Sequence, residues 1–118
     1  MDSKQVQTKE NMQIVEDTIE TAIYGASGEW IAMVKQKSAK PLDDERRLAK
    51  VVADGDTIEI RAEGDNIYYP LTRSKMMDAI ADYCLNNNLC KNCFQSECDD
   101  LIADAILQDA LFGEIRYG

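Results

Sequence analysis

Thr57-Ile58-Glu59-Ile60-Arg61-Ala62 alternates apolar and polar side chains without a break. A period of two puts Ile58, Ile60 and Ala62 on one face of a strand and Glu59 and Arg61 on the other. Glu63-Gly64-Asp65-Asn66 supplies turn residues, and Ile67-Tyr68-Tyr69 returns as a second strand. Residues 57–69 therefore read as an antiparallel hairpin. Pro70, with no N–H to give, is expected to end the ladder.

The segments around the hairpin read as helices. Thr72 is a good N-cap. Leu71 before it and Met76 four residues beyond it have the spacing of a hydrophobic staple. Met76, Met77, Ile80, Ala81 and Cys84 form the inner face of that helix, and Asn86-Asn87-Asn88 breaks it. The last helix is expected from about Cys98 to Phe112. Asp100, Asp104 and Gln108 recur there every four residues, and the rest is mostly Leu, Ile and Ala, so most of its circumference should be covered. Gly113 ends it, and Glu114–Tyr117 reads as a closing strand.

Upstream, residues 1–9 read as a solvated, flexible leader. A first helix is expected from about Glu10 to Tyr24, with Met12, Val15, Ile19, Ala22 and Ile23 on one stripe. Gly25 should end it in a left-handed cap. Trp30–Val34 reads as a buried strand, followed by a loop carrying Lys35, Lys37 and Lys40. Pro41 suits the first turn of a further helix. Asp43, Asp44 and Glu45 lie at its positive end, and Arg46, Arg47 and Lys50 lie toward its negative end. Asp43 and Arg47 are four apart and can pair. Leu48, Val51 and Val52 give its buried face, and Gly55 ends it. No linker divides the chain. Residues 10–118 are expected to form a single α+β domain, about four helices on a small, mainly antiparallel sheet.

Composition bounds the chemistry. The 118 residues carry 22 acids against 13 bases and no histidine, for a net charge of −9. Without histidine there is no Ser–His–Asp or Cys–His arrangement and no His-containing metal site. The acid excess argues against a whole-chain grip on nucleic acid or an anionic membrane. The N-terminus has no apolar signal-like core, and no apolar run approaches a membrane span. A cytoplasmic setting follows, in which cysteines are reduced or metal-bound.

Cys84, Cys90, Cys93 and Cys98 stand in the pattern C-x5-C-x2-C-x4-C. Four thiolates suit a tetrahedral zinc ion, and the Cys90-Lys91-Asn92-Cys93 turn presents two of them. Lys91 favours thiolate formation there. Three readings stand open: a structural zinc site at all four cysteines, reduced thiols of which Cys84 and Cys98 are core residues, and disulfide or redox chemistry. The spacing is not that of a ferredoxin cluster.

No catalytic constellation assembles. Gly25-Ala26-Ser27-Gly28 lacks the Lys-Ser/Thr that completes a phosphate loop, and Asp54-Gly55-Asp56 lacks the calcium-loop pattern. From Cys93 to Ile115 there are six acids and no base. Glu97, Asp99, Asp100, Asp104 and Asp109 are the candidate contacts with a basic partner protein, including the nucleic-acid channel of such a partner. The same acids could equally serve solubility.

The leading expectation is a non-enzymatic, acidic binding or regulatory protein that occupies a partner's surface. Inhibitors carried by phages and mobile elements include chains of this composition. The runner-up is a zinc-stabilised adaptor module. A third reading is a small-molecule or nucleotide binder using Arg61, Tyr68, Tyr69 and Arg73 near the hairpin.

Overall fold

Ile58–Ala62 forms a strand (β2) paired antiparallel with Tyr68–Leu71 (β3), with Ile58 opposite Leu71 and Ile60 opposite Tyr69. These coordinates are a computed structural model that describes residues 3–36 and 45–117. Pairing runs one residue past Pro70, which sits opposite Glu59. The strand order β1-β2-β3 makes β3 an edge, where a proline's missing N–H costs no ladder bond on its open side. The third strand, β1, is Ile31–Gln36, antiparallel to β2 and with a register shift between Ile31 and Met33. It begins and ends later than the expected Trp30–Val34. It is an edge strand, so Met33 is about half exposed and its neighbours are only partly covered.

Five α-helices lie among the described residues: α1 Ser3–Tyr24, α2 Glu45–Ala53, α3 Arg73–Asn86, α4 Lys91–Glu97 and α5 Asp100–Phe112. The expected leader is thus helical backbone from Ser3, seven residues ahead of Glu10, while residues 1 and 2 lie outside the described residues. Lys37, Lys40, Pro41, Asp43 and Asp44, with the Asp43–Arg47 pair, also fall outside them. The fifth helix is α4, where sequence reading expected only a cysteine loop. It is short, but Phe94 is 2% exposed and anchors it, with its ring 6.0 Å from that of Tyr83.

The core joins the layers. α1 packs against α2 and α5, α5 packs against α3 and β3, and α2 touches β2. Val15, Ile19, Leu48, Val52, Ile58, Ile60, Leu71, Met76 and Leu107 are all buried in one cluster. Thr72 caps α3 by accepting the Lys75 N–H at 3.2 Å, and the staple residues Leu71 and Met76 are both buried. Asn88 takes a left-handed conformation just after α3.

Gly25 departs from expectation. Its φ is −109°, so it is not a left-handed cap. It is required for space instead: a Cβ there would overlap the Asp100 side chain and press on the Thr21 carbonyl. The chain then makes a 3₁₀ turn over Ala26–Glu29 that leads into β1.

Candidate functional site

The helix α5 carries most of the acids in question, and its surroundings sort them. Asp104 is 8% exposed and Gln108 is fully buried. Asp104 Oδ1 accepts the Ser27 hydroxyl at 2.6 Å and the Trp30 indole N–H at 2.7 Å. Its Oδ2 accepts a Gln108 amide N–H at 2.9 Å. The same Gln108 amide donates to the Tyr117 carbonyl, and its oxygen accepts the N–H groups of Arg116 and Tyr117 at 2.7 and 2.8 Å. Asp104 is therefore a structural hub and not a surface contact.

This network also corrects the expected closing strand. Residues 114–117 pair with no strand. They are held on α5 by Gln108, and the Tyr117 ring stacks on Trp30 with centroids 5.2 Å apart. No buried side-chain N or O is left without a partner among the described residues.

The other acids remain accessible. Glu97, Asp99 and Asp100 are exposed at the junction of α4 and α5. Asp99 also caps α5, accepting the Ile102 N–H at 2.8 Å. Asp109 is half-buried and lines a groove of about 320 Å³ between α3 and α5. Ala79, Ala105, Ile106 and Ile115 give the groove apolar surface, and Asp82, Asp109 and Glu114 give it carboxylates. Among the described residues no Lys or Arg lines it. Glu114 meets Arg116 at 3.1 Å outside the lining, an exposed pair that solvent screens. Sequence reading missed Asp82, which lies on the outer face of α3 and looks like ordinary solvated charge. Only the packing of α3 against α5 sets it opposite Asp109.

The cysteines divide in two pairs. Cys84 on α3 and Cys98 after α4 are partly buried and pack against the core. Cys98 and Phe94 share a narrow cleft with Ile14 and Thr18 of α1. Burial, then the Asp99 carboxylate and Cys84, pushes the Cys98 thiol up to about 11. Burial and then Cys90 raise that of Cys84. Cys90 and Cys93 are exposed, with sulfurs 2.9 Å apart. Cys90 caps α4, its Sγ accepting the Cys93 N–H at 3.3 Å. The hydrogen bond to Cys90, and next the charge of Cys90, raise the Cys93 thiol. The Lys91 side chain lies outside the described residues.

Zinc bound at 2.3 Å from each of four tetrahedral sulfurs separates them by about 3.8 Å, wider than the Cys90–Cys93 spacing. Among the described residues no three Cys, Asp or Glu groups converge as metal ligands.

The four residues near the hairpin lie in three places. Arg61 and Tyr68 pair across β2 and β3 on the face away from Ile60. Arg61 donates to the Asp65 carbonyl at 3.1 Å, and the Lys35 ammonium lies 4.2 Å from the Tyr68 ring centroid. Tyr69 is on the core side, edge-on to Phe112, and its hydroxyl accepts from Arg116 at 3.0 Å. Arg73 donates to the Ala53 carbonyl at 3.2 Å. These side chains do not meet in a common pocket with the groove.

Comparison with protein-family models, curated proteins and solved structures finds no match to the chain. No helix of the described residues is long and apolar enough to cross a membrane.

Proposed function

We propose that the chain is a non-enzymatic, cytoplasmic binding protein that acts by occupying the surface of a basic partner protein. The α3–α5 groove carries this reading: apolar residues and three carboxylates, with no Lys or Arg among the described residues that line it. An arginine or lysine side chain laid into it would rest its aliphatic stem on Ala105 and Ile115 and set its charged head near Asp82 and Asp109. Glu97, Asp99 and Asp100, at the other end of α5, extend the acidic surface and would steer such a partner at long range. Partners with a basic nucleic-acid channel belong to this class, and regulators and inhibitors act on them in this way.

The test is fluorescence anisotropy of a labelled arginine-rich peptide titrated with the full chain. Affinity should fall as salt rises, because exposed charges are screened beyond about 8–10 Å at physiological ionic strength. The double variant Asp82→Lys with Asp109→Lys should lose about tenfold or more, the equivalent of about 1.4 kcal/mol. Asp99→Lys with Asp100→Lys should lose less. Salt-independent binding that ignores both double variants would leave the acids as solubility devices.

A second reading, a zinc-stabilised adaptor, rests on Cys84 lying close enough to Cys90 and Cys98 for their charges to interact. It requires the four sulfurs to draw together around the metal. Zinc stoichiometry near one per chain, with a melt lowered by a chelator, would favour it, because structural zinc contributes folding free energy directly.

A further inference from the structure

We propose that Cys90 and Cys93 form a dithiol–disulfide redox pair that exchanges with substrate disulfides. This goes beyond the groove: the exchange is a stoichiometric redox change of the chain and not catalytic turnover, and neither reading depends on the other. The two sulfurs lie 2.9 Å apart on exposed side chains, so a bond of about 2.05 Å needs a closure of less than 1 Å. Tetrahedral zinc would instead push them apart. The other two cysteines are partly buried, which leaves the exposed pair as the reactive one.

The roles follow from the contacts. Cys90 Sγ accepts the Cys93 N–H at 3.3 Å, a donor that stabilises a thiolate. The Cys93 thiol is held up by its hydrogen bond to Cys90 and by the charge of Cys90, and Cys90, whose sulfur faces the Cys93 N–H, takes the attacking role. The Cys90 thiolate attacks one sulfur of a substrate disulfide. The substrate S–S bond breaks, its leaving sulfur departs as a thiolate, and a mixed disulfide remains on Cys90. Cys93 then loses its proton and attacks the Cys90 sulfur, which expels the second substrate sulfur. Two thiols of this chain are oxidised to one disulfide and the substrate disulfide is reduced to two thiols. The protons of Cys90 and Cys93 pass through water to the released sulfurs.

The experiment uses the full chain in buffers of graded reduced and oxidised glutathione, quenched with acid and read by intact mass and peptide mapping. The expected result is one transition that removes about 2 Da, the two thiol hydrogens, with the bridge mapped to Cys90–Cys93. Cys93→Ser should stall as a glutathione adduct on Cys90. Cys90→Ser should react at least about tenfold more slowly, because the remaining Cys93 sulfur lacks the N–H contact that Cys90 has. Serine caps helices well, so Cys90→Ser keeps α4 and isolates the chemistry. A pair still reduced at oxidising poise, a bridge through Cys84 or Cys98, or equal reactivity of the two variants would overturn the proposal. So would protection of all four thiols that a chelator releases.

Discussion

At the scale of the residue, Asp104 shows how a charged side chain is made affordable inside a small protein. Three donors from different parts of the chain converge on it, Ser27, Trp30 and Gln108. Asp104→Ala leaves the Ser27 hydroxyl and the Trp30 indole N–H without their acceptor. Each buried donor so stranded costs roughly 1–3 kcal/mol, so the variant should lose about 2–6 kcal/mol in chemical denaturation. Trp30 emission should shift to the red as Tyr117 lifts away. A loss under about 0.5 kcal/mol would contradict the hub. Cys98 gives a second prediction. Its folded thiol stands at about 11 against 9.0 for an exposed thiol, so between those values the folded state holds more protons than the unfolded state. Stability should therefore be intact below pH 9 and decline as pH rises from 9 to 11. Cys98→Ala should flatten that decline relative to the parent. An identical pH profile for the two proteins would mean the thiol is not shielded.

At the scale of the element, local signals carried far and shared surfaces did not. The Ile58–Ile60–Ala62 alternation and the Thr72 cap are written in adjacent residues, and both appear as read. Thr72→Ala should cost about 1 kcal/mol and lower the melting temperature without changing the fold. An unchanged melt would show that the Lys75 N–H finds another acceptor. Asp104 and Gln108 were visible as a polar stripe on an otherwise apolar helix, but a stripe does not say what faces it. Their partners come from Ser27, Trp30 and the tail, more than seventy residues upstream or a turn beyond the helix end. The tail was misread for the same reason: Glu114–Tyr117 has strand-like composition, while its hydrogen bonds go to a side chain. The cysteine segment concealed α4, because a seven-residue helix held by one phenylalanine has too few periodic positions to register. The cysteines themselves were legible in number and spacing, and their division into an exposed and a partly buried pair was anticipated for Cys84 and Cys98 in the reduced-thiol reading. Gly25 was legible as a helix end but not as a close approach to α5, which only tertiary packing creates.

At the scale of the whole molecule, the acid excess is divided by the fold into different duties. Asp104 goes to the core, Asp99 to a helix cap, Glu97 and Asp100 to open surface, and Asp109 to a groove shared with Asp82 and Glu114. A net charge of −9 gives the chain a field that attracts basic surfaces. The thiol pair lies on α4, away from the groove lining, so oxidation of Cys90 and Cys93 should leave groove affinity for a cationic peptide unchanged. The most direct test of the binding claim is a nuclear magnetic resonance titration of the isotopically labelled full chain with an arginine-rich peptide at low and at physiological salt. The expected result is a set of salt-sensitive shifts centred on Asp82, Ile106, Asp109 and Ile115, with weaker shifts at Asp99 and Asp100. Shifts confined to the hairpin around Arg61 and Tyr68, or none at low salt, would contradict it.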